Sequence, residues 1–339
     1  MPAFLCLRMS EDKKSVILAG NKEKKRGACR RRRSGDREGA SAETKKRGRM
    51  TKTILLPNGH PLRLIASDMD GTILQSDLTI EQRTKELLIA WQEEGIRLTL
   101  ISGRPIQSMM RYARELQMDR HEGVIIGANG GHAYQLGVEK ELWRHTLTIA
   151  SAQHYFQLWK PFLLTLIAYG REKIYVDVPK REGLTYFGIS MEKGLERIEK
   201  VTSMKVEHYD LSTPLPEEPV KACVLGDRSL ILKAQAMVKD DYEADIYGAF
   251  SAETYFEAMM RGINKGTGLQ EYADRYDIMP DEIVAFGDED NDIPMLAYAG
   301  VSVAMEKASD RAAATAKYRT GSNNAGGIYQ FLARLMPER

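Results

Sequence analysis

Asp68 and Asp70 stand one residue apart at the end of the apolar run Leu64-Ile65-Ala66, inside the stretch LRLIASDMDGT at residues 62–72. In an extended chain, residues i and i+2 point to the same side, so the two carboxylates start close together before Gly71 lets the backbone turn away. Three other segments repeat this arrangement of a β-type run followed by polar groups. Ser102-Gly103-Arg104 follows residues 96–101, Lys265 opens a helical pattern, and Asp288 and Asp292 follow residues 283–286 in the acidic run Gly287-Asp288-Glu289-Asp290-Asn291-Asp292. So many carboxylates in one place need a cation. A donor set of oxygens, with no suitable histidine or cysteine, points to Mg²⁺. A lysine and a hydroxyl beside such a cation suit the handling of a phosphoryl group.

These groups meet only if the elements carrying them are neighbours. The short aliphatic run at 64–66 reads as a strand buried on both faces. Thr79 is the expected N-cap of a helix over residues 80–94, with Leu87, Leu88 and Trp91 at helical spacing and Gly95 closing it. A second strand over 96–101 leads into a helix opened by Pro105 and running to about residue 116. A third strand over 123–127 leads into Ala128-Asn129-Gly130-Gly131. The alternation predicts a doubly wound, Rossmann-like α/β core with a parallel sheet, whose ligands sit beyond the carboxyl ends of its strands.

From residue 146 to 251 the rhythm changes. A helix over 154–167 broken at Pro161, strands at 173–178 and 220–225, a helix at 229–238 and a strand at 245–250 predict a second, mixed α/β domain. The core pattern then resumes with a helix at 266–276, a strand at 283–286, a helix to 298, a strand at 301–304 and a closing helix from 327. The expected division is a basic extension at 1–50, a core formed by 51–145 and 252–339, and an inserted cap at 146–251.

With 43% hydrophobic and 28% charged residues, the 339-residue chain has the composition of a globular protein with room for two domains. No apolar run reaches the roughly 18 residues of a membrane span, and nothing near the start reads as a secretion signal. Cys6, Cys29 and Cys223 have no metal-ligand or disulfide spacing, so a reducing, cytoplasmic setting is expected. Residues 1–50 hold 16 Lys and Arg against 6 Asp and Glu, a net of +10, leaving 33 against 41, a net of −8, for the rest. An acidic body repels nucleic acid, so any such partner would have to bind through residues 1–50. Those residues lack hydrophobic periodicity and read as disordered. Met50 directly before the globular sequence favours an upstream extension over a nucleic-acid arm, because basic runs match such motifs by chance.

DMDGT at 68–72, ISGRP at 101–105, INKGTGL at 263–269 and GDEDNDIPML at 287–296 together resemble the four ordered motifs of the haloacid dehalogenase-like hydrolases. Within them the chain is most similar to the Cof-type sugar-phosphate phosphatases, over roughly residues 60 to 335, with a cap where the insert lies. The resemblance implies that Asp68 is a nucleophile forming an aspartyl-phosphate, and that Asp70 is the general acid and then the base for water. It implies Mg²⁺ held by Asp68, Asp288 and the backbone carbonyl of Asp70, with Asp292 binding the metal or its waters. Ser102, Gly103, Lys265 and Asn291 would bind the substrate phosphate, Lys265 also orienting Asp68, while Asn129 would support the turn and Arg104 is a further candidate. The implied partner is a small phosphorylated metabolite, a sugar phosphate or a phosphorylated cofactor. Two other functions fit the same motifs: phosphoryl transfer within a sugar, as in related mutases, or a non-catalytic regulator using the basic tail. His154, Tyr155, Trp159, Tyr175, Tyr186 and Cys223 are the aromatic and thiol candidates for a pocket in the insert, although such residues more often form core. Near the end, Gly326 replaces the family's usual acid before the glycine, which puts a late contact in doubt.

Overall fold

The computed structural model describes residues 53–336 except 181, 182, 184, 187, 188 and 253. The expectations for residues 1–50 therefore lie outside the described residues, as does the side chain of Tyr186. In chain order the first strands are β1 (Leu64–Ser67), β2 (Arg97–Ile101), β3 (Val124–Gly127), β4 (His132–Gln135) and β5 (Lys140–Arg144). Next come β6 (Thr165–Tyr169), β7 (Lys173–Asp177), β8 (Thr185–Tyr186), β9 (Ile189–Ser190), β10 (Lys205–His208), β11 (Lys221–Leu225), β12 (Ile246–Ala252) and β13 (Tyr255–Met260). The last are β14 (Ile283–Gly287), β15 (Val301–Ala304) and β16 (Tyr318–Arg319). Helices α1 (Gln82–Glu93), α2 (Ile106–Glu115), α3 (Ile149–Trp159), α4 (Met191–Thr202) and α5 (Arg228–Tyr242) are followed by α6 (Lys265–Arg275), α7 (Ile293–Tyr298), α8 (Asp310–Thr315) and α9 (Gly327–Leu332).

An eight-stranded sheet runs in the order β16, β15, β14, β1, β2, β3, β4, β5. From β16 to β3 the pairs are parallel, and β4 and β5 add an antiparallel edge. Alternate residues of each strand feed opposite layers. Ile65, Leu98, Leu100 and Phe286 pack under α1, α2 and α9, whereas Leu64, Ala66, Ile101 and Ala285 pack under α6 and α7. The core is doubly wound, as the sequence pattern predicts. β1 has β14 on one side and β2 on the other, so the chain order reverses beside it. That reversal opens a crevice at the carboxyl ends of β1, β2, β3 and β14.

A second sheet, of six strands, runs in the order β10, β7, β6, β11, β13, β12. One face packs against α3 and α5 through Tyr155, Phe156, Trp159, Val224 and Ile231. The other packs against α4 through Ile167, Val176, Leu195 and Ile198. This sheet includes β13, which pairs with both β11 and β12. The border expected at 251/252 thus cuts the β12–β13 hairpin, and the sheet continues to Met260. A charge inside β13 hid its strand character, since Glu257 interrupts the apolar alternation.

Two other expectations need correction. The helix over 154–167 ends at Trp159: a short turn at Lys160–Phe162 contains Pro161, Leu163 takes a left-handed φ of 52°, and Thr165–Tyr169 is a strand buried throughout. Apolar character alone does not separate a buried strand from a buried helix; pairing with β7 and β11 decides it. The cap of α1 is Glu81, whose carboxylate accepts from the Thr84 amide, while Thr79 bonds Gln75 and Asp77 in the preceding turn.

Candidate active site

Asp68 continues β1 by one residue, its amide donating to Phe286 O at 3.0 Å. The residue is 5% exposed, at the base of the crevice. Gly71 then turns the chain with a φ of 82°, and any Cβ there would collide with the Asp288 carboxylate. Glycine is demanded twice at that position, by conformation and by space.

Lys265, at the first turn of α6, is 1% exposed and lies between two acids: Nζ donates to Asp68 Oδ1 and to Asp292 Oδ1, each at 2.6 Å. Asn264 holds that helix end, its side chain accepting from the Gly266 and Thr267 amides. Asp292 Oδ2 accepts from the amides of Asp288 and Glu289 at 2.9 and 3.0 Å, tying the acidic loop after β14 to the lysine. Thr72 donates to Asp288 Oδ1 at 2.7 Å. Asp68, Asp288 and Asp292 are all buried, with one oxygen from each inside 4.8 Å of the others.

One ammonium does not neutralise three buried carboxylates. Burial raises the Asp68 carboxyl well above its ordinary range, the neighbouring Asp292 charge adds to this, and Lys265 opposes it. Asp288 is pushed up to about 7, again mainly by burial, with the Thr72 hydrogen bond pulling the other way. Burial works against the charge on Lys265, but Asp292 and Asp68 outweigh it and raise its proton affinity. The excess negative charge and the all-oxygen donors fit a divalent cation.

Asp70 is in neither the carboxylate group nor the lysine bridge. Its side chain, 53% exposed, is clamped by Arg104, with Nε to Oδ2 at 2.6 Å and Nη2 to Oδ1 at 2.5 Å. Ser102 is buried at the end of β2, where its Oγ accepts from the Arg104 amide at 3.2 Å. Asn129 follows β3 in a left-handed turn with a φ of 53°. Its Oδ1 accepts from Asn291 Nδ2 at 3.0 Å, and its Nδ2 donates to Glu257 Oε2 at 2.5 Å. The candidates from the four motifs thus lie around one crevice, with Asp68, Asp288 and Asp292 gathered at Lys265 and with Ser102, Gly103 and the Asp70–Arg104 and Asn129–Asn291 pairs on its wall. The late segment near Gly326 still makes a contact, because Asn323 and Asn324 bond the backbone and side chains of residues 74–76.

A cavity of about 540 Å³ opens from Asp68, Asp70, Ser102 and Lys265 up to the six-stranded sheet. The side chains that close it from above are not those suggested by the sequence. Tyr155, Trp159 and Tyr175 lie on the far face with α3, and His154 is exposed there. Cys223 is buried, and burial pushes its thiol up to about 12. The cavity is lined instead by Tyr169, Tyr255, Lys221 and Glu257, with Ile198 and Val201 of α4 at one side. Two of these carried a readable signal: Lys221 and Glu257 are single charges inside the otherwise apolar runs VKACVL and YFEAMM.

A doubly wound α/β core whose switch point holds a buried lysine among carboxylates, beneath a second sheet, defines an enzyme-like site for a cation and an anionic substrate. The family model described as haloacid dehalogenase-like hydrolase matches residues 65–332, and the chain belongs to that family. It is a phosphatase enzyme of that family, as the relatives' names bear out. It is 26% identical over 271 residues to a 5-amino-6-(5-phospho-D-ribitylamino)uracil phosphatase of Bacillus subtilis, covering 79% of this chain and 96% of that one. With the phosphatase of the same description from Escherichia coli it shares 25% over 283 residues, covering 81% and 96%. A haloacid dehalogenase-like hydrolase from Bacteroides thetaiotaomicron has the same fold at a TM-score of 0.70 and 24% identity, over 81% of this chain and 100% of that one. A solved subclass IIB sugar phosphatase aligns at 0.67 and 19%, over 81% and 100%. No helix among the described residues is long and apolar enough to cross a membrane.

Proposed function

We propose that the chain is a Mg²⁺-dependent phosphatase that hydrolyses small phosphorylated metabolites, sugar phosphates or phosphorylated cofactors, through an aspartyl-phosphate on Asp68. The observation that carries this reading is the Lys265 bridge. By holding Oδ1 of Asp68 at 2.6 Å, it leaves the other oxygen for attack on phosphorus and favours the ionised form. Asp68, Asp288 and Asp292 are the side chains that would hold the cation, which when bound supplies charge neutralisation for the phosphoryl oxygens.

Attack forms the Asp68–phosphorus bond and breaks the ester bond, and Asp70 gives its proton to the departing oxygen. In the free protein Arg104 clamps both Asp70 oxygens, so this step requires Asp70 to leave that ion pair and take up a proton from solvent before it donates one to the leaving group. Asp70 then takes a proton from water, whose oxygen attacks phosphorus and restores the Asp68 carboxylate with release of phosphate. The Ser102 hydroxyl, the Gly103 backbone, Lys265 and Asn291 receive the phosphoryl oxygens. The six-stranded sheet acts as a cap that excludes bulk water and selects the leaving group. That relatives matched over 96% of their length are phosphatases of 5-amino-6-(5-phospho-D-ribitylamino)uracil supports a phosphorylated small molecule as substrate.

Asp68→Asn should reduce phosphate release from p-nitrophenyl phosphate by at least about 10³-fold with the fold intact. Full activity in that variant overturns the mechanism. A panel of phosphorylated metabolites assayed with Mg²⁺ and with EDTA identifies the substrate.

A further inference from the structure

Lys221 and Glu257 belong to the central strands β11 and β13 of the six-stranded sheet, where they are 3% and 4% exposed. Their ion pair is 2.5 Å long. Taking two charges out of water costs several kcal/mol per ion, and well-packed apolar residues often stabilise such a position equally well. Fold stability alone therefore does not explain the pair.

Its outer bonds point to another role, because each partner reaches across to the eight-stranded domain. Lys221 Nζ donates to Gly103 O at 2.7 Å, inside the Ser102-Gly103-Arg104 loop. Glu257 Oε2 accepts from Asn129 Nδ2 at 2.5 Å, and Asn129 in turn accepts from Asn291 of the acidic loop. Gly103 is fitted to this contact: a Cβ there would stand 3.0 Å from Glu257 Oε2 and 3.2 Å from Asn129 Oδ1. One ion pair thus touches the loops that follow β2 and β3 and, through Asn129, reaches the one that follows β14.

Both residues line the cavity, so a direct grip on the leaving group is the obvious rival. The bonding of Lys221, the partner whose charge could attract an anionic substrate, argues against it. An ammonium has three hydrogens, and Lys221 directs them to Glu257, to Gly103 O and to the face of the Tyr169 ring, whose centroid is 4.5 Å away. Glu257 gives one oxygen to Lys221 and the other to Asn129. Burial works against the Lys221 charge, but Glu257 outweighs it and raises the lysine's proton affinity.

We propose that Lys221 and Glu257 are positioning residues that lock the Ser102–Arg104 loop and the Asn129–Asn291 pair into their phosphoryl-binding arrangement, so that the loop is ordered only when the cap sheet is seated on it. The inference rests on the proposed phosphatase function. Its consequence is that turnover depends on cap contact through the phosphate side of the site, whatever the leaving group.

The test is the double apolar variant Lys221→Met/Glu257→Met beside Glu257→Gln, which keeps the shape but gives up the charge facing Lys221 and puts an amide in place of the oxygen that Asn129 bonds. Both are assayed with p-nitrophenyl phosphate, melted, and examined by hydrogen exchange of the peptide containing residues 102–106. The expected result for the double variant is a melting temperature near that of the parent, kcat lower by about 10- to 100-fold, KM within about twofold, and faster exchange of the loop. Glu257→Gln should shift kcat and exchange in the same direction by less, and it serves alone if the double variant does not fold. Retained kcat, a raised KM with kcat unchanged, or unaltered exchange overturns the proposal. If the parent releases no phosphate from any substrate, the phosphatase reading fails, while the exchange comparison still decides whether the pair orders the loop.

Discussion

Among the described residues two lysines are buried against carboxylates, and their surroundings differ in one respect. Lys265 serves two aspartates while a third lies within reach, so its cluster holds more negative than positive charge. Lys221 has one glutamate, its three hydrogens are directed to neighbouring groups, and each Glu257 oxygen accepts one bond. An unbalanced buried cluster is poised to take up a cation and to carry reactive charge, and the protein tolerates the cost because function uses it. A balanced pair has no such appetite, and what it offers is geometry.

Removing each lysine should separate the two roles most sharply. Lys265→Met leaves three carboxylates facing one another and removes the group that orients Asp68, so activity on p-nitrophenyl phosphate should fall by at least about 10³-fold. Without added metal, the melting curve at pH 8 should show a loss of about 3–5 kcal/mol, the usual cost of stranding a buried charge. Acid should relieve that loss, because the aspartates take up protons there. Lys221→Met should cost similar stability but far less activity, and a second change at Glu257 should restore the stability. Equal activity losses for the two lysines would erase the distinction.

The pH dependence follows from the same imbalance. Asp288 is pushed up to about 7 and Asp68 is raised as well, so the metal-free folded state binds more protons than the unfolded chain between about pH 4 and 7. Stability from these groups is therefore lost as pH rises through that window. A cation favours the ionised acids, so the increase in melting temperature on adding Mg²⁺ should be small at pH 5 and largest above pH 7. Asp288→Asn should abolish most of that increase, whereas Glu257→Gln should leave it in place. A Mg²⁺ effect independent of pH would contradict the unbalanced cluster.

This asymmetry also explains what could be read from the chain. The acids, Ser102 and Lys265 each sit at a strand end or helix start, where a change from apolar run to polar residue is visible in one dimension. The parallel core was legible for the same reason, its strands being short aliphatic runs closed by turn residues. The β12–β13 hairpin and the strand at Thr165–Tyr169 were not, because antiparallel pairing is decided by distant partners. Lys221 and Glu257 lie 36 residues apart in sequence and meet only through that pairing. The sequence shows two isolated charges in apolar strands but cannot pair them. The aromatic residues of the insert are core, the reading that their type favours: Tyr155 and Trp159 pack from α3 onto the face of the sheet opposite the cavity.

The smallest expected effects come from groups that tune each lysine's neighbours. Thr72→Val removes the 2.7 Å bond to Asp288 Oδ1, a bond that favours the ionised form. Proton affinity at Asp288 should rise, moving the acid limb of the Mg²⁺-dependent pH profile upward by about one pH unit with little change at its plateau. Tyr169→Phe is the counterpart beside Lys221. It removes the hydroxyl that meets Tyr255 at 2.8 Å but keeps the ring face under the ammonium. Because a phenylalanine ring offers nearly the same attraction to a cation, kcat should change by less than about threefold and the pH profile not at all. Tyr169→Leu removes that face as well, and should lower kcat further with KM unchanged. If Tyr169→Phe lowers activity as much as Tyr169→Leu, the hydroxyl rather than the ring serves the site, and the third hydrogen of Lys221 is not committed to the ring.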